Sequence, residues 1–76
     1  MNAAVMTVRL WFTGQETEAA RLYCKLPKSR NPEKSDEVWL PLSQIEHVTR
    51  YPAKPNEWPE HVVTIPEWLA QNHDLL

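Results

Sequence analysis

Cysteine, glycine and long apolar runs are scarce in this chain. The chain has a single Cys, Cys24, which excludes an internal disulfide and a multi-cysteine zinc site. These are the two features that most often stabilise very small folds. The serines lack the glycine-rich surroundings of a nucleophile elbow or a phosphate-binding loop, since the only glycine is Gly14. No apolar run approaches the length of about 18 residues that a membrane span needs, so we expect no membrane partner.

The start of the chain also lacks the features of an export signal. Residues 1–6 carry no basic residue and no sustained apolar core. Together with the unpaired Cys24, this predicts a protein of a reducing, cytoplasmic compartment. A length of 76 residues predicts a single small domain over residues 1–76, with little room for a deep catalytic pocket. Four Trp residues can supply buried area in place of disulfides or zinc.

Basic residues are outnumbered, with 8 Lys and Arg against 10 Asp and Glu and a net charge of −2. This balance disfavours a general nucleic-acid binder, whose affinity depends on neutralising phosphates with Lys and Arg. The charges are also unevenly placed, because a basic stretch precedes a mainly acidic second half. The basic stretch contains Lys25, Lys28, Arg30 and Lys34. Separated charges of this kind steer the approach of a partner.

Alternation of apolar and polar residues predicts a mainly β protein. Residues 5–13 alternate at period two, which predicts a first strand followed by a turn at Thr13–Glu16. Residues 16–26 alternate as well, although Thr17 and the alanines that follow it would also suit the start of a helix. We favour a strand that forms a hairpin with the first. The apolar faces of these two strands are predicted to contain Met6, Val8, Leu10, Phe12, Ala20, Leu22, Cys24 and Leu26.

The remaining elements complete this fold class. They are predicted as strands at residues 37–40, 45–51 and 61–65, a 3-10 turn at 41–44 and a C-terminal helix from Pro66. We expect Trp68 and Leu69 to pack the helix against the sheet. The fold is therefore a small antiparallel barrel or bent sheet of about five strands with a short C-terminal helix. Residues 39–45 are similar to the strand, 3-10 turn and strand step of SH3-like barrels.

The histidines and Cys24 show no catalytic or metal-binding spacing. His47, His61 and His73 are far apart in the chain, and none is close to Cys24. His47 and His61 each follow a Glu directly, and neighbours on a strand point to opposite faces, so neither pair can chelate an ion. A Cys–His nucleophile would need an imidazole within reach and a third group to orient it. We expect no enzyme, no metal and no cofactor.

Two sets of side chains are candidates for recognition. The first, the acidic set, would contact a protein partner and consists of Glu46, Glu57, Glu60, Glu67 and Asp74. The second, the aromatic and basic set, lies opposite the apolar stripes and consists of Arg9, Trp11, Arg21, Tyr23, Lys25, Lys28, Arg30, Lys34 and Trp39. Aromatic rings between cations can stack the bases of single-stranded nucleic acid or form a protein interface. In a third reading, the terminal helix with Trp58 and Trp68 simply covers this face.

Two motifs in the second half carry a resemblance to known proteins. They are Trp39–Glu46, with the sequence WLPLSQIE, and Ile65–Ala70, with the sequence IPEWLA. Over residues 37–76 the chain resembles a group of short phage- and prophage-encoded proteins of uncharacterised function. The resemblance implies a protein of a mobile element in a bacterial cytoplasm.

These observations lead to two functional hypotheses. The first is a non-enzymatic phage-type protein that binds a bacterial host protein or protein–nucleic acid complex. Within this class, we expect an inhibitor of a host defence complex, similar to anti-CRISPR proteins. The second is an accessory protein of phage replication or recombination that binds single-stranded nucleic acid through the aromatic and basic set. Neither hypothesis predicts an oligomeric state.

Overall fold

The computed structural model describes residues 4–27 and 36–75. The elements in this part of the chain are strands β1 (Val5–Glu16), β2 (Ala20–Cys24), β3 (Glu37–Pro41), β4 (His47–Arg50) and β5 (Glu60–Pro66), a 3-10 turn (Leu42–Gln44) and helix α1 (Glu67–Asn72). The strands form one antiparallel sheet in the order β3–β2–β1–β5–β4. The predicted fold class, mainly β with about five strands and a short C-terminal helix, is confirmed.

The sheet is open rather than closed into a barrel. Its two edges are β3 and β4, and in the described residues these strands do not pair with each other. The 3-10 turn between them is present as predicted, with Pro41 preceding it in an extended conformation. The chain therefore crosses from one edge of the sheet to the other after this turn. The similarity to the SH3-like step is limited to the local order of elements.

β1 is the central strand, and it is longer than the sequence predicts. It pairs with β5 along Val5–Trp11 and with β2 through its second half. The predicted turn at Thr13–Glu16 is wrong, because Gly14 lies inside β1 with a φ of 91°. The pairing with β2 is irregular between Phe12 and Glu16. A residue with positive φ makes such a bulge possible, and glycine adopts that conformation without steric cost.

The hairpin of β1 and β2 is confirmed, but its turn lies later in the chain. The Oγ1 atom of Thr17 accepts hydrogen bonds from the backbone N–H groups of Ala19 and Ala20, at 3.2 and 3.1 Å. The Thr17 N–H donates to the Ala20 carbonyl at 2.8 Å. The Thr17 side chain thus closes a turn between two strands and does not cap a helix.

The core lies on one face of the sheet, which we call the inner face. Its buried side chains include Val8, Leu10, Tyr23, Val38, Leu40, Val63 and Ile65. Cross-strand partners point to the same face, and Val8 pairs with Val63, which pairs in turn with Val48. α1 covers this face with Leu69 and Ala70. On β1, the side chains of Thr7, Arg9 and Trp11 point to the opposite face of the sheet, which we call the outer face.

The prediction inverts the two faces of β2. Tyr23 pairs with Phe12 on one side and with Val38 on the other, so it belongs to the inner face and is fully buried. Leu22 and Cys24 are buried as well, although they point to the outer face. Because both faces of β2 are covered, its alternation carries no information about which face is inside. Between the Phe12–Tyr23 and Glu16–Arg21 pairs, three residues of β1 lie opposite one residue of β2, so the register shifts by two residues and each strand keeps its faces.

The docking of α1 also differs from the expectation. Leu69 is 4% exposed and packs in the core, whereas the Trp68 side chain is 51% exposed. Successive residues on a helix point about 100° apart, so the burial of Leu69 and Ala70 turns Trp68 away from the sheet. The expectation that Trp68 packs the helix is therefore wrong. No helix of the described residues is long and apolar enough to cross a membrane.

Candidate binding groove

Three side chains near the centre of the sheet form the floor of a groove on the outer face. Arg9 and Trp11 lie two residues apart in β1, so they point to the same side. Glu60 begins β5 and pairs directly with Trp11 in the ladder. The two strands therefore fix the positions of a cation, an indole and a carboxylate relative to one another.

The wall of the groove is the segment 51–59, which connects β4 to β5. Its first residue is held by a hydrogen bond from the Tyr51 N–H to the Glu60 carbonyl, at 2.9 Å. Near its end, the Trp58 N–H donates to the carbonyl of Pro27, also at 2.9 Å. The wall is thus anchored both to β5 and to the chain that leaves β2.

A tight turn shapes the middle of this wall. The Glu57 N–H donates to the Lys54 carbonyl at 3.0 Å, and Asn56 has a positive φ of 64°. Asn is among the non-glycine residues that most readily adopt this conformation. Pro52 and Pro55 have fixed φ values and limit the conformations open to the segment. The wall is therefore a hydrogen-bonded loop built from residues that restrict its backbone.

Between floor and wall lies a groove of about 660 Å³. It is lined by Arg9, Trp11, Pro27, Tyr51, Pro52, Ala53, Lys54, Pro55, Glu57, Trp58 and Glu60. Most of its surface is made of aromatic rings and prolines, with a few charged groups among them. Concave sites that are largely apolar and contain a few fixed polar groups are the usual form of binding sites.

An ion pair organises the charge on the floor. The Arg9 Nε donates to Glu60 Oε2 at 3.1 Å, and the terminal Nη2 contacts the same oxygen. The Arg9 guanidinium carbon lies 5.8 Å from the centre of the Trp11 ring, within the range of a cation–π contact. The Arg9 side chain is largely exposed, so this pair adds little to stability. Its main effect is to hold the Arg9 guanidinium over the Trp11 ring.

The polar atoms of the three aromatic residues in the groove remain available to a ligand. Within the described residues, no hydrogen bond involves the indole N–H of Trp11 or Trp58 or the hydroxyl of Tyr51. Glu57 and Lys54 likewise form no ion pair with a described residue. Among the described residues, the groove thus combines three aromatic side chains with unpaired polar atoms, the carboxylate of Glu57 and the ammonium group of Lys54.

The structure brings together only part of the predicted acidic set. Glu57 and Glu60 line the groove. Glu46 lies before β4, where its N–H donates to the Thr64 carbonyl, and Glu67 is the first residue of α1. Asp74 follows α1 and lines a second, shallower groove of about 550 Å³ beside Met6 to Leu10. The five carboxylates therefore do not form a single surface.

The aromatic and basic set is divided between the two faces of the sheet. Arg9 and Trp11 line the groove, and Trp39 is 44% exposed on the same outer face but outside the groove. Arg21 pairs with Leu40 and therefore points to the inner face, where it contacts Glu16. The described members of this set therefore do not form one stacking surface.

The other members of this set are also placed outside the groove. Lys25 lines the second groove with Asp74. Tyr23 cannot contact a partner at all, because it is fully buried in the core. Lys28, Arg30 and Lys34 lie outside the described residues.

Tyr23 instead forms a buried polar pair with His61. Its hydroxyl lies 2.9 Å from the His61 Nδ1 atom. Burial lowers the pKa of His61 below its usual range, and the nearby charges of Arg50 and Arg21 lower it further. Burial also raises the pKa of Tyr23, against the opposing effect of Arg21. Both side chains are thus held in their neutral forms around neutral pH.

Cys24 and His61 lie on opposite faces of the sheet. Cys24 pairs with Trp11 and points outward, whereas His61 packs against Phe12 and Tyr23 on the inner face. The Cys24 sulfur accepts a hydrogen bond from the Leu26 N–H at 3.5 Å. These positions do not form a Cys–His pair. Among residues 4–27 and 36–75, no three His, Cys, Asp or Glu side chains are grouped so that they could hold a metal ion.

Sequence reasoning missed the wall of the groove. Tyr51, Lys54 and the prolines of this segment were assigned no role, and Trp58 was considered only as a cover for the outer face. The available signal was the concentration of Pro, Trp and Tyr in residues 51–59, which have no strand or helix periodicity. No protein family, curated protein or solved structure matches the chain, so the candidate site depends on its own geometry.

Proposed function

We propose that this is a non-enzymatic interaction protein that binds a partner protein through the groove on its outer face. The observation that carries the proposal is the convergence of Trp11, Tyr51, Trp58 and Arg9 on one concave surface. Trp, Tyr and Arg are the residues most enriched among those that dominate binding energy at protein interfaces. The rigid sheet beneath the floor keeps the entropic cost of ordering these groups low.

The proposed partner is a bacterial protein or protein–nucleic acid complex. The support for this part is the similarity of Trp39–Glu46 and Ile65–Ala70 to phage-encoded proteins, which also suggests the bacterial cytoplasm as the site of action. Inhibition of a host defence complex, as anti-CRISPR proteins achieve, is the role we propose within this class.

Capture of a partner from bacterial lysate, compared between groove variants and a matched control, tests the proposal. Tyr51→Ala removes an exposed ring from the groove, and Trp68→Ala removes an exposed ring from α1. We expect Tyr51→Ala to lose a partner that both the wild type and Trp68→Ala retain. A partner that binds all three proteins equally, or that only Trp68→Ala loses, would rule out the groove as the binding surface.

A second candidate function is binding of single-stranded nucleic acid. The observation in its favour is the Arg9 guanidinium beside the Trp11 ring, because a base can stack on such a surface. Arg9 and Lys54 only balance Glu57 and Glu60 in the groove, and the chain as a whole carries a net charge of −2, so we rank this function second. Titration with oligothymidine at low salt separates the two, since a nucleic-acid binder shows tryptophan quenching that weakens as salt is added.

A further inference from the structure

This inference rests on the binding function proposed above. The backbone hydrogen-bond donors available on the wall limit the class of ligand that the groove can bind. The backbone N–H groups of Tyr51, Glu57 and Trp58 already donate to carbonyls within the protein. Pro52 and Pro55 have no N–H group at all. The wall therefore has few backbone donors with which it could pair an added β-strand.

The floor offers no strand edge at its centre either. Trp11 belongs to β1 and pairs with Glu60 on one side and with Cys24 on the other. Main-chain pairing gives a peptide its affinity when it extends a sheet, and here that pairing is already used. A ligand in the groove must instead be recognised by ring faces and by side-chain polar groups.

A polyproline II segment has the complementary features. This conformation has no internal hydrogen bonds, so the backbone carbonyls of the segment remain exposed. The proline rings of the segment pack flat against aromatic side chains. Trp11, Tyr51 and Trp58 supply the ring faces. Their indole N–H and hydroxyl groups, which bond to no described residue, can donate to the ligand carbonyls while the rings pack on proline.

Glu57 adds a preference for charge. It lines the groove together with Glu60, but the Glu60 carboxylate is already paired with Arg9. Glu57 forms no ion pair within the described residues, and it is partly buried rather than fully hydrated. Lys54 also lines the groove, but it is exposed, so water screens its charge more than that of the partly buried Glu57. The Glu57 carboxylate therefore favours a ligand that brings a cation close to it and disfavours one that brings a phosphate there.

We infer that the groove binds a proline-rich segment of a partner protein in the polyproline II conformation, with an Arg or Lys of that segment opposite Glu57. The inference rests on the proposed binding function and adds to it the class of ligand. A segment of about ten residues in this conformation spans about 31 Å, which exceeds the two shorter dimensions of the molecule, 24 Å each.

Fluorescence anisotropy with defined probes tests this inference. The probe is a labelled peptide of about ten residues that contains a Pro-x-x-Pro motif flanked by arginines. A second peptide has every proline replaced by alanine, a third has every arginine replaced by glutamate, and oligothymidine is the nucleic-acid control. The proteins are the wild type, Trp58→Ala, Tyr51→Ala, Glu57→Gln and Trp68→Ala.

We expect the wild type to prefer the arginine-flanked proline peptide over all three alternatives. Trp58→Ala or Tyr51→Ala should weaken its binding by about thirty-fold, the effect typical of a hot-spot residue. Glu57→Gln should weaken it by about three-fold and remove the preference for arginine over glutamate. Trp68→Ala should bind as the wild type does. Tyr51→Ala keeps the test valid if Trp58→Ala is poorly folded, because Tyr51 is 47% exposed.

Equal binding of the alanine peptide, a preference for oligothymidine, or unchanged affinity in both groove variants would overturn the inference. If no peptide binds while Tyr51→Ala still loses its partner from lysate, the ligand class is wrong and the proposed binding function stands. If Tyr51→Ala also retains every partner, both proposals fail.

Discussion

The hydroxyl of Tyr23 lies 2.9 Å from Nδ1 of His61, across the central strand of the sheet. Tyr23 belongs to β2 and His61 to β5, and these strands are separated by β1. Phe12 of β1 packs against both rings, with its ring centre 5.7 Å from that of Tyr23 and 5.3 Å from that of His61. The inner face thus contains two polar side chains that are hydrogen-bonded to each other within an aromatic cluster. This arrangement connects three strands through side chains.

Loss of this hydrogen bond should destabilise the fold. Tyr23→Phe keeps the ring and removes the hydroxyl, so the buried imidazole loses its partner. We expect a decrease of about 1–3 kcal/mol in the free energy of unfolding, measured by urea denaturation. Tyr51→Phe is the matched control, because its hydroxyl is on an exposed residue, and it should change stability by less than about 0.5 kcal/mol. Equal denaturation midpoints for wild type and Tyr23→Phe would contradict the assigned pair.

Stability should also depend on pH through His61. Its pKa in the folded protein is lowered, chiefly by burial, below the value of about 6.5 expected in the unfolded chain. Below that pH the unfolded state binds more protons than the folded state, so stability falls as the pH falls. Urea denaturation at a series of pH values from about 7.5 down to about 5 measures this loss.

The variant His61→Gln isolates this contribution, because Gln can still accept a hydrogen bond but does not titrate. We expect the decrease in stability between neutral and mildly acidic pH to be smaller in His61→Gln than in the wild type. His47→Gln makes the same substitution at an exposed position and serves as its control. If His61→Gln and the wild type lose stability in parallel, His61 is not the group responsible.

The docking of α1 predicts losses of stability of very different size for two neighbouring residues. Leu69→Ala removes a buried side chain from the core and should cost about 2–5 kcal/mol. Trp68→Ala removes a larger but exposed side chain and should cost less than about 1 kcal/mol. Thermal or urea denaturation of the two variants gives the comparison. A greater loss for Trp68→Ala would mean that the helix docks through a different face.

The bulge at Gly14 predicts a cost that arises from the backbone alone. A Cβ atom at this position would meet no atom within 4 Å, so Gly14→Ala creates no clash. The φ of 91° is nevertheless unfavourable for alanine, and we expect a loss of about 1–2 kcal/mol. Gly14→Asn should lose less, since Asn tolerates positive φ better. Wild-type stability in Gly14→Ala would show that β1 is regular at this position.

The elements of the fold could be predicted from local patterns. Alternation identified β1, and a run rich in β-branched residues identified β5. Pro41 and Pro66 marked the 3-10 turn and the start of α1. The face of β2 could not be predicted, because Leu22, Tyr23 and Cys24 are all buried and because the pairing of Tyr23 with Phe12 and Val38 is a contact between strands that the alternation does not reveal. Local spacing also could not show that Trp68 is exposed, since only the packing of Leu69 determines the rotation of the helix.

The candidate site was less accessible to sequence reasoning than the fold. Arg9, Trp11, Glu57 and Glu60 were each selected, but they were divided between two separate hypotheses. The groove combines them because the ladder places Glu60 opposite Trp11, and because a long connection returns over the outer face. Both relationships depend on contacts between residues about fifty positions apart in the chain, which are outside the reach of motif spacing.

The central claim of this account is that the groove binds a proline-rich segment, and the four tryptophans test it directly. Trp11 and Trp58 line the groove, whereas Trp39 and Trp68 lie outside it. Each indole N–H gives its own signal in a proton–nitrogen correlation spectrum of labelled protein. During titration with the arginine-flanked proline peptide, we expect the signals of Trp11 and Trp58 to shift and those of Trp39 and Trp68 to remain in place. Shifts confined to Trp39 or Trp68, or no shift at all, would contradict the account.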